Sequence, residues 1–213
     1  MAVVIEPAAG PLASPFKNRE AREAERSVKR EAVLVAAVRM FNERGFHATS
    51  LDDVAASLGV SKPTIYHYLG TKDQVLLECV TRGLSQLREA ADTARAQDGS
   101  GLDRLRAFLC RYAEINMADF GKCVIRTGDE MLSEASAGQF RALKRQIDEA
   151  MRALIHEAVA EGSVVAEDVR LTAFTLAGAL NWPARWYRES GTFDAAQTAG
   201  QMVAILLNGL LPR

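Results

Sequence analysis

The chain has 213 residues, 48% apolar and 25% charged, with 26 Lys/Arg against 27 Asp/Glu and a net charge of −1. That length buries one sizeable core, or a small head joined to a larger body, and the composition excludes a disordered or collagen-like chain. Residues 1–16 lack the basic start and apolar run of an export signal, no segment is apolar for long enough to cross a membrane, and the widely spaced Cys79, Cys110 and Cys123 match neither a disulfide framework nor a zinc motif. The expectation is a cytoplasmic protein with buried free thiols, no membrane contact, no metal and no cofactor.

In chain order, Pro7, Pro11 and Pro15 interleave with Ala, Gly and Ser, so residues 1–16 are expected to form a flexible tail. From Lys17 a stretch of mixed charge runs into Val33, Leu34, Ala37, Val38 and Phe41, an i, i+3/i+4 stripe that ends a first helix at Gly45. Thr49 and Ser50 precede Leu51-Asp52-Asp53-Val54, so a hydroxyl caps a second, short helix and two acids favour its positive end. Leu51, Val54, Ala55 and Leu58 form the expected inner face of that helix, and Gly59 stops it. Ser61 caps a third short helix, where Pro63 is tolerated because first-turn N–H groups have no partner within the helix.

Thr71 and Gln74 have capping-box spacing and open a long helix to about Ala96. Further helical patterns cover residues 102–118, 122–132, 137–160, 166–189 and 193–211. With no strand alternation and no repeat, the expected fold is all-α, about nine helices, divided into the tail at 1–16, a helix-turn-helix head at 17–71 and a helical body at 72–213. Charge follows the same division. Residues 17–72 hold ten Lys/Arg against seven Asp/Glu, and residues 73–213 hold sixteen against nineteen.

The segment from Ser50 to Tyr68, SLDDVAASLGVSKPTIYHY, joins two short helices through a Gly-Val-Ser turn. Gly59 takes the positive φ of the reversal, Val60 plugs the angle between the helices, and Ala55 lets them cross closely. The second of the two helices is unusually polar, with Ile65 as its evident inward anchor. Such a helix suits a DNA major groove: Lys62 and Thr64 are candidates for base edges, and Tyr66, His67 and Tyr68 for phosphates and thymine methyls. Thr49, Ser50 and Lys72 stand at helix N-termini that favour a phosphate, and Ser61 and Pro63 complete the candidate DNA set.

The series Phe41-x3-Gly45-Phe46-x2-Thr49-Ser50-x3-Val54-Ala55-x3-Gly59-Val60-Ser61-x2-Thr64-x-Tyr66-x-Tyr68, followed by Lys72, resembles the TetR/AcrR family of transcriptional regulators over about residues 30–75. The resemblance implies a homodimer, closed through the last two helices, whose recognition helices enter successive major grooves of a palindromic operator. Pro63 departs from the small residue common in the family, which bears on base preference.

In the last two helical segments Ala173, Ala177, Gly178 and Ala179 leave room for close approach, while Ala199, Val203, Leu206 and Leu210 continue an apolar stripe. Packing against a second copy makes a four-helix seam; an internal core is the other reading. Asn181-Trp182-Pro183-Ala184-Arg185-Trp186-Tyr187-Arg188 holds both tryptophans, four apart on one expected helix face, with Pro183 as a kink. These rings either line a pocket or pack at the dimer seam. The segment also resembles TetR-type regulators of fatty-acid, steroid and aromatic-acid catabolism. That resemblance implies an acyl-CoA or related effector, with Arg126, Arg185 and Arg188 toward its phosphates and Phe108, Cys110, Met117, Met151 and Phe174 toward its apolar part. The effector is expected to displace the helix that begins at Lys72 and so to release the operator.

An enzyme is the first rival, but His47, His67 and His156 have no nucleophile at a recognised spacing, and no metal motif or phosphate loop is present. The second keeps the fold as a dimeric protein-interaction module or a transcriptional activator.

Overall fold

The structure is a computed structural model that describes residues 19–209, with side chains from Glu23 onward. The expected tail at 1–16, the helix onset at Lys17, and Leu210 and Leu211 lie outside the described residues. Within them the fold is all-helical: α1 (Arg19–Arg44), α2 (Leu51–Ser57), α3 (Lys62–Leu69), α4 (Lys72–Arg95), α5 (Gly101–Met117), α6 (Asp119–Arg126), a 3-10 turn (Asp129–Met131), α7 (Glu134–Ala160), α8 (Val169–Asn181), α9 (Pro183–Trp186) and α10 (Ala195–Asn208). Each of the nine expected helical segments is found, and the one at 166–189 is divided, leaving α9 as a separate single turn.

Most helix starts are written in local chemistry. Ser50 with Asp53, Thr71 with Gln74, Ser100 with Asp103 and Asp194 with Gln197 form reciprocal capping boxes, and Asp168 accepts from the N–H groups of Arg170 and Leu171. Each such cap contributes about 1 kcal/mol by satisfying donors that the helix leaves unpaired. Ser61 is a correction: it occupies the N-cap position of α3, but its hydroxyl pairs with that of Thr64 at 2.8 Å and caps nothing.

Pro183 does more than kink its helix. Lacking an N–H and crowding the preceding turn, it ends α8 at Asn181 and starts α9 as a new helical turn. Trp182, between the two helices, keeps right-handed helical dihedrals, and both tryptophan rings are exposed, Trp182 to 64%.

One continuous core joins head and body, from Val33 and Leu34 on α1 through Val54 and Ile65 to Leu84, Phe108, Phe140 and Leu180. Of the expected inner face of α2, Leu51, Val54 and Ala55 are buried, whereas Leu58 and Val60 stay more than a third exposed at the turn. The chain reverses there before Val60 can enter the angle between α2 and α3, and Gly59 takes φ 65. Polar clips reinforce the junction: Arg39 donates to Asp119 at 2.8 Å, Asn42 Nδ2 donates to the Asp119 carbonyl at 2.8 Å, and Arg30 and Arg82 pair with Glu78 and Glu31 across α1 and α4.

Ile65 is fully buried and, with Leu69, is all that α3 buries. Ile65→Ala is expected to destabilise the head by about 2–5 kcal/mol through the cavity it leaves, read as a lower denaturant midpoint for the full chain.

Candidate nucleic-acid interface and effector cavity

α2 is held by its capping box, in which the Ser50 hydroxyl donates to Asp53 Oδ2 at 2.7 Å and accepts from the Asp53 N–H at 3.1 Å. Those bonds keep the Asp53 carboxyl below its ordinary range. α3 then turns Lys62, Pro63, Tyr66 and His67 outward, with Tyr66 53% exposed, while Thr64 and Tyr68 are half-buried. The Lys62 ammonium is not free: it is hydrogen-bonded to Asp52 on α2, which raises its pKa. Lys72, at the first turn of α4, lies 4.1 Å over the Phe46 ring, and partial burial lowers its pKa.

Thr49 is a correction. Its side chain is only 1% exposed, and its hydroxyl donates to the Gly45 carbonyl at 2.9 Å and the Met40 carbonyl at 3.3 Å. Those carbonyls belong to the end of α1, so Thr49 closes that helix and presents nothing to a phosphate.

A cavity of about 350 Å³ opens in the body between α4, α5, α6, α7 and α8. Met151, Phe174 and Asn181 line it as expected, together with Leu84, Leu87, Tyr112, Ile147 and Thr127. Lys144 and Asp148 also border it, and Asn181 is held in place: its Oδ1 accepts from Tyr112 Oη at 2.8 Å and from Asn116 Nδ2, behind the wall, at 3.0 Å. Burial pushes the Tyr112 phenol up to about 12, so the ring stays neutral and donates. Sequence reasoning misses Tyr112 and Asn116, although a polar pair four residues apart on an otherwise apolar face of α5 is a legible signal.

The other expected effector residues go elsewhere. Phe108 and Met117 are packed in the core, Phe108 edge-on to Tyr112 with ring centroids 5.7 Å apart. Cys110 is half-buried on α5 and Trp182 points to solvent; neither lines the cavity. Trp186 and Arg188 border a hollow against α10 with Phe193 and Met202. Arg126 and Arg185 border a separate crevice of about 350 Å³ between the C-terminal end of α1 and α4, which shares Thr127 with the cavity. Arg126 is engaged there: Nε and Nη2 donate to the Ala184 carbonyl at 3.1 and 2.7 Å, and Nη1 donates to the Asn42 carbonyl. Burial and then the neighbouring Arg185 charge lower its pKa.

α8 and α10 also carry outward apolar faces. Leu171, Phe174 and Ile205 are each at least half exposed, and Gly178 and Gly200 face open space.

A short, capped helix pair with a polar outer helix, set on a helical body that encloses a cavity, defines a helix-turn-helix DNA-binding regulator. The profile of the bacterial regulatory proteins, tetR family, matches residues 33–79, and that of the tetracyclin repressor-like C-terminal domain matches residues 98–210. The chain belongs to the TetR family of transcriptional regulators. It is 27% identical over 189 residues to the HTH-type transcriptional repressor KstR2 of Mycolicibacterium smegmatis, covering 85% of this chain and 90% of that one. Among solved structures, the TetR family regulator PfmR of Thermus thermophilus is 29% identical with a TM-score of 0.76, covering 84% of this chain and 99% of PfmR. AibR, solved in complex with isovaleryl coenzyme A and operator DNA, shares the fold at 22% identity and a TM-score of 0.72, covering 84% of this chain and 97% of AibR.

Lys62→Ala and Tyr66→Ala are expected to weaken operator binding about 5- to 150-fold each, the weight of a 1–3 kcal/mol contact, with the melting temperature unchanged. Thr49→Val is expected to behave in the opposite way, losing about 1–3 kcal/mol of stability while the salt dependence of binding is retained. Fluorescence anisotropy across a salt series and thermal melts of the same samples separate the two classes.

Proposed function

We propose that the protein is a homodimeric, ligand-responsive repressor that binds a palindromic operator through α3 and is released by a short-chain acyl-CoA or a related catabolic intermediate. The observation that carries this reading is Arg126, whose guanidinium joins the end of the DNA-reading head at Asn42 to α9 at Ala184, three residues beyond the cavity residue Asn181. A guest that moves Asn181 pulls on the same segment that anchors the head.

The chemistry of the cavity suits an acyl thioester. Its walls are largely aliphatic and aromatic, with Lys144 and Asp148 at one side, and its volume of about 350 Å³ accepts a small acyl group, not a whole coenzyme. Asn181 Oδ1 is occupied by Tyr112 and Asn116, while its amide nitrogen has no partner among the described residues and is left to donate to a guest carbonyl. Thr127 is common to the cavity and the crevice, so a chain leaving the cavity passes toward Arg185, the candidate phosphate partner. AibR, which binds isovaleryl coenzyme A, and KstR2, a repressor, support the effector class and the sign of regulation by likeness.

In this reading residues 17–71 are the DNA-binding head and 72–213 the effector and dimer body. The exposed faces of α8 and α10 meet those of a second copy, with Gly178 and Gly200 at the close crossings. Phe174 then belongs to both the cavity and the seam, which couples occupancy to the spacing of the two heads. Lys62 exchanges Asp52 for DNA, with Ser50, Ser61, Pro63, Thr64, His67, Tyr68 and Lys72 beside it.

Gel shift on the palindrome upstream of the protein's own coding region, with and without isovaleryl-CoA and its homologues, tests the reading. Operator affinity is expected to fall about 5- to 150-fold at saturation, the range of a 1–3 kcal/mol coupling. Arg126→Gln is expected to keep effector binding, measured by calorimetry, and to lose most of that response. Unchanged operator affinity through a full acyl-CoA titration rejects the effector class. A monomeric protein with no preference for any duplex rejects the reading as a whole and favours a protein-interaction module.

A further inference from the structure

α4 and α6 cross antiparallel, and two points fix their register. Leu76 and Thr127 share a wall of the crevice. A Cβ on Gly83 would come within 2.7 Å of the Phe120 carbonyl oxygen and of Val124 Cγ2. Between those two points the register sets Cys79 on α4 opposite Cys123 on α6. Residues 76, 79 and 83 lie on one face of α4, residues 120 and 123 on one face of α6, and Thr127 follows as its C-cap. Both cysteines are buried, and the bare glycine one turn from Cys79 lets the two backbones approach at that crossing. A disulfide requires Cα atoms about 4.4–6.8 Å apart, a separation reached only at such close crossings.

We propose that Cys79 and Cys123 form a dithiol that a hydroperoxide converts into an intramolecular disulfide joining α4 to α6. Nothing in the DNA or effector chemistry uses these thiols. Cys123 is the residue attacked first, because it lines the crevice that opens to solvent, whereas Cys79 lies behind it. The neighbouring Cys79 thiol lowers the pKa of Cys123 against the opposing effect of burial, helped by Thr127, whose Oγ1 is 3.8 Å from Sγ, and by the Arg126 charge. Its partner Cys79 is correspondingly raised.

The steps balance. The Cys123 sulfur attacks one oxygen of the hydroperoxide, the O–O bond breaks, and an alcohol or water leaves with the thiol proton, giving a sulfenic acid. The Cys79 sulfur then attacks that sulfur, the S–O bond breaks, and water leaves with the second thiol proton. Two electrons pass from the dithiol to the peroxide. The product ties the long helix that follows the DNA head to the short helix that Arg126 already fastens to α1.

The test uses the full chain, reduced, exposed to hydrogen peroxide, quenched with an alkylating agent, and read by intact mass and non-reducing peptide mapping. The expected result is loss of two hydrogens, a Cys79–Cys123 cross-linked peptide, reversal by dithiothreitol, and the same outcome in Cys110→Ser. Cys79→Ala, which removes the resolving thiol without adding a polar group to the core, is expected to trap a dimedone-reactive sulfenic acid at Cys123. Circular dichroism of each variant establishes that it is folded. Oxidation confined to Cys110, a cross-link between chains, or a folded Cys79→Ala protein inert to dimedone after peroxide overturns the proposal.

Discussion

One guanidinium joins the end of α1 to α6 and α9. Helices end with carbonyls that have no internal partner, and a buried end without one is costly. Asn42 is in the last turn of α1 and Ala184 lies within the single turn of α9, and Arg126 donates to both carbonyls. The cation also suits the negative end of α1. Asn42 itself is bound at both ends of α6, through its side chain to the Asp119 carbonyl and through its own carbonyl to Arg126. α6 is therefore clipped to α1 at its first residue and its last. Relative motion of head and body has to break one of those contacts or move α6 as a piece.

α4 supplies the second connection, and its N-terminus is where the two meet. Asp73, in the first turn, accepts from the Ser133 N–H at 2.6 Å, from the Ser133 hydroxyl at 3.0 Å and from the Ser136 hydroxyl at 2.6 Å. Burial pushes its carboxyl up, but those three donors outweigh it and hold the group below its ordinary range. The start of α4 is thereby tied to the start of α7, whose later turns supply Ile147 and Met151 to the cavity. Interiors are close-packed, so a displacement of α7 by a guest is transmitted along the helix and not absorbed locally. Lys72 is the residue next to Asp73, which places that displacement beside the candidate DNA surface.

What is legible in the sequence is what depends on neighbours along the chain. The head is written locally: the Thr71–Gln74 box, a hydroxyl cap at Thr49 or Ser50 that the structure assigns to Ser50, Gly59 at the reversal and Ile65 as the inward anchor all follow from local rules and are found in the structure. The cavity depends on five helices meeting, and periodicity does not say which side of a buried face borders a void. Met151 and Phe174 border it, whereas Phe108 and Met117, equally apolar, pack solidly. Thr49 is instructive because its sequence position fits a phosphate contact as well as a helix stop. Only the Gly45 and Met40 carbonyls, close in sequence but reached through a turn, decide between them. Pro183 reads in sequence as a bend in one helix; in the structure it divides α8 from α9, and Arg185 borders one hollow while Trp186 and Arg188 border another.

Charge pairing on the head also accounts for how a chain of net charge −1 reads an anionic polymer. Lys62 is bonded to Asp52, and Lys72 is stacked on Phe46. In the proposed interface a phosphate competes with a carboxylate already in place, so loose encounters with arbitrary duplex recover little from Lys62. Counterion release favours any DNA, whereas exchanging Asp52 for a well-placed acceptor favours only a site that also satisfies Thr64, Tyr66 and the second half of a dimer. In that proposed interface an acidic residue would lower non-specific affinity more than specific affinity, and discrimination would gain from that difference.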